Sequence, residues 1–197
     1  MGVHTAADHG GAFSAMTKPR FEFRPLSERD LPILFEWLNR VHVAEWWDGP
    51  VSFSEVREKY LPRVGSTSVR PHLACLKGKP VGFIQSYVVT DQGDGYWLAE
   101  SDAGAIGIDQ FLADANSLGK GLGTEMVSQF VDLQFKNPEV TRIQTDPVHG
   151  NLRAIRCYEK VGFRRLDVVE RPDGAVLLMV INRDSASRVA EAEDRTA

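Results

Sequence analysis

The sequence predicts a single α/β (α+β) domain with a mixed, mostly antiparallel twisted sheet flanked by helices. Its 197 residues are 43% hydrophobic and 25% charged, which is the composition of a globular chain long enough for one substantial core. Alternating segments of strand type are interspersed with segments whose apolar residues recur at helical spacing. The resulting order, β-α-α-β-β-β-α-β-α-β-β, shows no internal repeat and is typical of a mixed α/β domain.

The first elements are a strand and two helices. Residues 21–25 alternate apolar and polar side chains, as a half-buried strand does. Ser27 is placed to cap a helix whose apolar residues recur at helical spacing, namely Leu31, Leu34, Phe35 and Leu38. Ser52 and Glu55 have the spacing of a capping box, which predicts a second helix that ends at Tyr60.

The middle of the chain is predicted as a hairpin, a loop and a strand–helix unit. Residues 72–76 and 81–89 are strands joined by a turn that contains Gly and Pro. The polar segment 90–103 is a loop that carries aromatic residues. Residues 105–112 form a strand that leads into a glycine loop and then a helix over 121–135.

The last elements are three short strands and one helix. A strand is predicted over 142–145 and a helix over 152–160. Strands over 163–169 and 176–181 follow, turned by Pro172-Asp173-Gly174.

The domain is expected to cover residues 20–183. Residues 1–19 are rich in Gly, Ala, Ser and His without periodicity, which predicts a disordered leader, with Met16 as a candidate natural start. The charged, Ala-rich residues 184–197 are expected to form a flexible tail.

Composition also restricts the compartment and the partners. No apolar run approaches the roughly 18 residues that cross a bilayer, and no secretory signal is recognisable. Cys75 and Cys157 are far apart in sequence and indicate reduced thiols in a cytoplasmic protein. The net charge of −4 argues against a nucleic-acid partner and allows a cationic ligand. None of the histidines has metal-ligand spacing, so we expect no metal, and we expect a monomer or weak dimer.

The run Leu118-Gly119-Lys120-Gly121-Leu122-Gly123 is a glycine loop that opens the predicted helix. Backbone N–H groups of such a loop, together with the helix N-terminus, favour a bound phosphate. A dinucleotide fingerprint would need glycine where Thr124 stands, and a P-loop would need Gly-Lys-Ser/Thr after its four-residue spacer. The loop therefore predicts a different phosphate ligand, unless it is an ordinary left-handed turn into a helix.

A second motif follows downstream and matches N-x-x-A-x-x-x-Y-x-K-x-G-F from Asn151 to Phe163. With the glycine loop and the element order, it resembles the GCN5-related N-acetyltransferase (GNAT) superfamily. That resemblance implies a sheet splayed between strands 4 and 5 and a loop that binds the pyrophosphate of acetyl-CoA. The family's loop usually begins with Gln or Arg, a position held here by Leu118. The acetyl-CoA-binding residues implied are Gln110, Phe111, Leu112, Leu118, Gly119, Lys120, Gly121, Leu122, Gly123, Thr124 and Asn151.

Further segments are similar to the type I branch of aminoglycoside 6'-N-acetyltransferases. They are Glu45-Trp46-Trp47, Gly93-Asp94-Gly95-Tyr96-Trp97, Gly107-Ile108-Asp109-Gln110, Gln144-Thr145-Asp146-Pro147 and Pro172-Asp173-Gly174. The similarity extends over about 21–183. It implies direct acetyl transfer from acetyl-CoA to the 6'-amine of a cationic aminoglycoside, and hence antibiotic resistance.

Asp109 and Tyr158 are the candidate catalytic residues. Asp109 is either the base that accepts the amine's proton, directly or through water, or a carboxylate that orients the ammonium, unless it only braces the strand end. Tyr158 is a phenol that can protonate the leaving thiolate, and backbone N–H groups of residues 110–112 are expected to stabilise the oxyanion. Cys157 would allow an acyl-cysteine route, but nothing in the sequence activates it, so direct transfer is preferred.

The acceptor site is expected to combine carboxylates with aromatic faces, which together suit a polyamino sugar. The substrate-binding residues predicted are Trp47, Tyr60, Asp94, Tyr96, Trp97, Asp109, Asp146 and Asp173. Trp46 is expected in the core, while Asp48 and Asp102 are interpreted as solvated loop charges. Glu100 is a further carboxylate considered for the site. The competing interpretations are an acyltransferase for another amine, such as a siderophore precursor or a protein N-terminus, and a non-catalytic acyl-CoA-binding module.

Overall fold

Seven strands lie in the part of the chain that the computed structural model describes, which is residues 19–47, 49–91, 97, 99–170 and 174–184. They are β1 (Phe21–Pro25), β2 (Val69–Leu76), β3 (Lys79–Val88), β4 (Ala105–Leu112), β5 (Arg142–Thr145), β6 (Arg164–Val169) and β7 (Val176–Asn182). They form one sheet in the order β1-β2-β3-β4-β5-β7-β6. Neighbouring strands are antiparallel except β4 and β5, which are parallel. The predicted fold class is confirmed.

Five α-helices accompany the sheet within the described ranges. They are α1 (Leu31–Leu38), α2 (Val41–Ala44), α3 (Phe53–Tyr60), α4 (Leu122–Phe135) and α5 (Leu152–Val161). None of these helices combines the length and apolarity that a bilayer crossing demands.

Local capping chemistry sets the helix ends that matter for the site. Ser52 Oγ accepts from the Glu55 N–H at 3.2 Å while the Glu55 carboxylate accepts from the Ser52 N–H, so the predicted capping box is confirmed. Asn151 begins α5 by accepting from the Ala154 N–H at 3.1 Å. Gly162 ends α5 in the left-handed conformation, with φ of 109°.

The structure corrects the predicted start of the first helix. Ser27 precedes a single 3₁₀ turn over Glu28–Asp30, and α1 begins only at Leu31. The Asp30 carboxylate is the reason, because it accepts from both the Ser27 N–H and hydroxyl at 2.9 and 2.6 Å and tightens the turn.

The central strands of the sheet are buried on both faces, each face against a different set of helices. On one face, Ile84 and Ile108 pack with Phe130 of α4 and Ile155 of α5. On the other face, α1, α2 and α3 cover an aromatic cluster that includes Phe83 and Phe111. Successive residues of β3 and β4 therefore point to opposite cores.

Candidate active site

Strands β4 and β5 pair over three residues and then diverge. Their last paired positions are Gly107 and Gln144, while β4 continues to Leu112 paired on its other side with β3. The splay expected between the fourth and fifth strands is present, and it opens a cleft beside the second half of β4.

The backbone of β4 directs alternate N–H groups into this cleft. The Ala113 N–H donates to the Val81 carbonyl at 2.9 Å, and hydrogen bonds alternate along an antiparallel pair. The backbone N–H groups of the odd-numbered residues of β4 therefore point toward β3, whereas those of Gln110 and Leu112 point into the cleft. Backbone N–H groups of residues 110–112 were expected as donors here, but the N–H group of Phe111 points toward β3.

Gly107 shapes the floor of the cleft. Tyr87 lies directly opposite Gly107 in the β3–β4 pair, and a Cβ atom at position 107 would overlap its ring. The absence of a side chain is what lets the phenol lie across β4. Burial of this phenol, together with the nearby carboxylates of Asp109 and Asp146, raises the pKa of Tyr87 well above its usual value.

A cavity of about 450 Å³, here called the glycine-loop cavity, lies on one side of the cleft. Its walls include most of the residues predicted to bind acetyl-CoA, namely Gln110, Phe111, Leu112, Leu118, Gly119, Gly121, Gly123, Thr124 and Asn151. Lys120 and Leu122 are not in its walls. Lys120 is exposed, and Leu122 packs beside Phe21 and Met126 in a core cluster.

The glycine loop leaves room at the start of α4. Gly119 and Gly121 have φ of 72° and 83°, and a Cβ at either would have no other atom within 4 Å. The 14-residue α4 begins at Leu122, and Gly123 and Thr124 of its first turn, where N–H groups have no partner within the helix, line the same cavity. Three cationic side chains of α5 line the same cavity, namely Arg153, Arg156 and Lys160. Open backbone, helix N-terminus and three cations make this cavity fit an anionic, phosphate-bearing ligand.

A second cavity of about 380 Å³, here called the aromatic cavity, lies on the other side. Its aromatic walls are Trp46, Trp47, Tyr60, Tyr87, Trp97 and Tyr158. Asp109 and Asp146 provide carboxylates, and Lys59 and Arg63 provide positive charges. The two cavities share five wall residues, which are Trp46, Trp47, Gln110, Asn151 and Ala154.

Asp109 is held by a neighbour on the adjacent strand. The Gln85 side-chain NH₂ donates to Asp109 Oδ2 at 2.8 Å. Burial raises the pKa of Asp109, while this hydrogen bond and the positive charges of Arg63 and Lys59 act in the opposite direction. The group is thus a carboxylate more basic than a solvated aspartate.

Tyr158 reaches the aromatic cavity from the buried face of α5, where its ring also packs edge-on against Phe163. Burial raises the pKa of Tyr158 well above its usual value, and the interaction with Thr145 only partly offsets this. The phenol is therefore protonated at neutral pH and can donate a hydrogen bond into the cavity.

Cys157 faces the glycine-loop cavity rather than the carboxylates. Burial raises the pKa of its thiol, and the Thr124 hydroxyl lies 3.7 Å from its sulfur. A protonated thiol is a poor nucleophile, which favours direct transfer over an acyl-cysteine route.

Of the predicted acceptor-binding residues, five lie in the walls of the aromatic cavity: Trp47, Tyr60, Trp97, Asp109 and Asp146. Asp94, Tyr96 and Asp173 lie outside the described residues, as does Asp48. The structure thus gathers side chains from α3, β4 and the segment after β5 around one space.

Trp46 and Trp47 do not divide between the core and the acceptor site as the sequence predicted. Trp46 was expected in the core, yet it lines both cavities. Trp47 lines both cavities too, and it also packs edge-on against the core rings of Phe83 and Phe111, with centroids 5.6 and 4.9 Å away. The turn after α2 places both indoles between the core and the cleft, so neither has a single role.

Glu100 and Asp102 bind other parts of the protein. Glu100 accepts from Gln144 Nε2 at 2.5 Å, and Arg142 lies 3.4 Å from both carboxylates. Asp102 also accepts from the Thr141 hydroxyl at 2.7 Å. These contacts fasten the segment before β4 to β5, so Asp102 is not the free, solvated charge that the sequence suggested.

Sequence reasoning missed four polar residues of the aromatic cavity: Lys59, Arg63, Gln85 and Tyr87. Gln85 and Tyr87 alternate with Phe83 along β3 and so lie on the same face of the strand. This alternation was the one sequence signal that could have placed them at the site. Within the described ranges, no cluster of three or more His, Cys, Asp or Glu side chains could hold a metal ion.

Comparison with known proteins agrees with this geometry. Residues 27–171 match the model of the acetyltransferase (GNAT) domain. The chain is 52% identical to an aminoglycoside N(6')-acetyltransferase type 1 of Klebsiella pneumoniae, over 84% of each protein. A lysine N-acyltransferase, MbtK, of a Mycobacterium species is 28% identical over 72% of this chain and 59% of its own length.

A solved structure extends the likeness to three dimensions. The crystal structure of the aminoglycoside acetyltransferase AAC(6')-Ib in complex with coenzyme A and kanamycin matches with a TM-score of 0.80. The match has 52% sequence identity and covers 86% of this chain and 98% of that one. The chain therefore belongs to the GNAT acetyltransferase family, in the branch of the aminoglycoside N(6')-acetyltransferases of type 1.

Proposed function

We propose that this protein acetylates the 6'-amine of aminoglycosides with acetyl-CoA as cosubstrate and so confers resistance to them. The observation that carries the proposal is the meeting of the two cavities along a shared wall. Asp109 and Tyr158 lie beside this wall, on the side of the aromatic cavity. One ligand can thus enter from each side and react where the sheet is open.

The glycine-loop cavity suits acetyl-CoA, which supplies an acetyl group activated as a thioester. The N–H groups that begin α4 would hold its pyrophosphate, and the space above Gly119 and Gly121 allows a phosphate to approach the backbone. Arg153, Arg156 and Lys160 would pair with further phosphate charge.

The aromatic cavity suits a polyamino sugar. Asp109 and Asp146 can pair with ammonium groups, and the aromatic walls can pack on sugar rings. The indole N–H groups of Trp46 and Trp97 are buried and have no hydrogen-bond partner among the described residues. Sugar hydroxyls would supply the acceptors that these donors lack.

In the reaction, Asp109 pairs with the acceptor's ammonium and takes its proton, so that the nitrogen can attack. Burial raises the pKa of Asp109, and a carboxylate with a raised pKa accepts a proton more readily than a solvated one. The N–H groups of Gln110 and Leu112 point into the cleft and would donate to the carbonyl oxygen as negative charge develops on it. Tyr158, protonated at neutral pH, donates its proton to the departing sulfur, and the second proton that the nitrogen loses on becoming an amide restores the phenol.

We further propose that the protein acts in the cytoplasm as a monomer or weak dimer without nucleic acid. The free thiols of Cys75 and Cys157 and the net charge of −4 support this. Residues 20–183 would form the catalytic domain, between a leader and a C-terminal tail.

The test is acetyl-CoA consumption with kanamycin, beside an analogue that carries a hydroxyl at the 6' position. We expect turnover of kanamycin alone, with the product acetylated at the 6' nitrogen. Equal rates on both compounds would refute the regiochemistry. Faster turnover of a lysine ε-amine than of kanamycin would favour an acyltransferase for another amine.

A further inference from the structure

Arg63 introduces a positive charge into a cavity that suits a cationic acceptor. Its guanidinium lies 5.2 Å from the centroid of the buried Tyr60 ring, and its Nη1 donates to Gln85 Oε1 at 3.1 Å. The side chain is therefore held at two points, by an aromatic face and by a buried amide.

The Gln85 carboxamide connects Arg63 to Asp109. Its oxygen faces Arg63, and its NH₂ donates to Asp109 Oδ2 at 2.8 Å. A guanidinium can only donate and an ionised carboxylate can only accept, so the amide has one orientation that satisfies both neighbours. Arg63 adds a second anchor at the amide oxygen, so the carboxamide is held from both ends and not by Asp109 alone.

We infer that Arg63 is a positioning residue for the reaction: it fixes the orientation of the Gln85 carboxamide and thereby holds Asp109 toward the acceptor amine. The inference rests on the proposed function, because it assigns Asp109 its role there. Arg63 itself needs no contact with the reacting atoms.

Other charged and titratable groups face Asp109 from the surrounding elements. Lys59 approaches from α3, Tyr87 from β3, Tyr158 from α5 and Asp146 from the segment after β5. The positive charges of Arg63 and Lys59 lower the pKa of Asp109. Replacing Arg63 by a neutral side chain should therefore raise that pKa and move the acidic limb of the pH profile to higher pH.

The test compares Arg63→Met with Arg57→Met. Arg57 lies on α3, half-exposed and 3.1 Å from Glu28, so its replacement removes an equal charge outside the cavity. The titration midpoint of the Asp109 carboxyl is followed by ¹³C NMR, with the signal assigned by its loss in Asp109→Asn. We expect the midpoint to rise in Arg63→Met and to remain unchanged in Arg57→Met.

Kinetics with kanamycin provide the second measurement. We expect kcat of Arg63→Met to fall roughly 10- to 100-fold, because misplacement of a reacting group is costly, with acetyl-CoA affinity unchanged. If Arg63 acts through Gln85, adding Arg63→Met to Gln85→Leu should produce little further loss. Should Gln85→Leu fail to fold, the titration and the kcat of Arg63→Met decide.

The inference is overturned by an unmoved Asp109 midpoint, by losses that add in the double variant, or by an effect confined to the KM for kanamycin. A wild-type enzyme that leaves kanamycin unmodified would refute the proposed function instead. The NMR titration would still decide whether Arg63 acts on Asp109.

Discussion

The glycine loop can be tested by a pair of substitutions that separates backbone strain from ligand binding. Gly121 and Gly78 have similar left-handed φ values, 83° and 74°, and a Cβ at either would have no other atom within 4 Å. Gly121 lies in the wall of the glycine-loop cavity, whereas Gly78 lies in the turn between β2 and β3. Gly121→Ala and Gly78→Ala should thus cause similar strain, and only the first should obstruct the cavity.

The shared cost follows from chirality. An alanine held in the left-handed region costs about 1–2 kcal/mol, which lowers the melting temperature of a domain of this size by roughly 2–8 °C. The cost specific to Gly121 is in binding. Its Cβ would keep a phosphate away from N–H donors whose charge-assisted hydrogen bonds contribute about 1.5–3 kcal/mol each, so acetyl-CoA affinity should fall roughly 10- to 100-fold.

Calorimetry with acetyl-CoA measures the affinity, and thermal unfolding without ligand measures the strain. We expect both variants to melt earlier by similar amounts and only Gly121→Ala to lose affinity. Unchanged affinity in Gly121→Ala, or equal losses in both variants, would show that the pyrophosphate does not approach this loop.

Three further substitutions address the reaction and the stability of the domain. Asp109→Asn should reduce kcat at least 100-fold with acetyl-CoA affinity unchanged. Burial raises the pKa of Asp109, so the kcat/KM of the wild-type enzyme should fall as the pH drops through a value above the ordinary pKa of an aspartate. If the Asp109→Asn variant turned over at the wild-type rate, Asp109 would have no part in the reaction. Tyr158→Phe should slow acetyl transfer by about 100-fold in single-turnover experiments with little change in the KM for kanamycin, and an unaltered rate would assign the proton to another donor. Asp30→Asn should cost about 1 kcal/mol of unfolding free energy at pH 7, because the paired, half-exposed Arg24 holds the pKa of Asp30 at about 2. That difference is present above the ordinary pKa of an aspartate and should disappear in urea titrations as the pH falls to 2, whereas a difference that persists there would assign it to packing.

The chemistry that local sequence can encode was largely predictable. The capping box of Ser52 and Glu55 depends on hydrogen bonds within a few residues, and the glycine loop depends on the backbone conformation of a few residues. The bounds of β4 and β5 were also predicted as observed.

Contacts between distant segments were not predictable in this way. Gln85 meets Asp109 because β3 and β4 pair in a register that sets these two residues opposite each other. Arg63 joins them from the 3₁₀ turn after α3. Glu100, which the sequence offered as a ligand for the acceptor, is instead bound to Gln144 of β5.

The sequence by itself thus determined the individual strands, the glycine loop and the helix that carries Tyr158. Each of these depends on backbone conformation over one or two turns of chain. Only the tertiary structure decided which carboxylates face the open cleft and which are bound to other side chains of the protein. It also decided that a cation reaches Asp109 through an amide. Strand register and helix packing select those partners from residues tens of positions apart, and no local pattern specifies them.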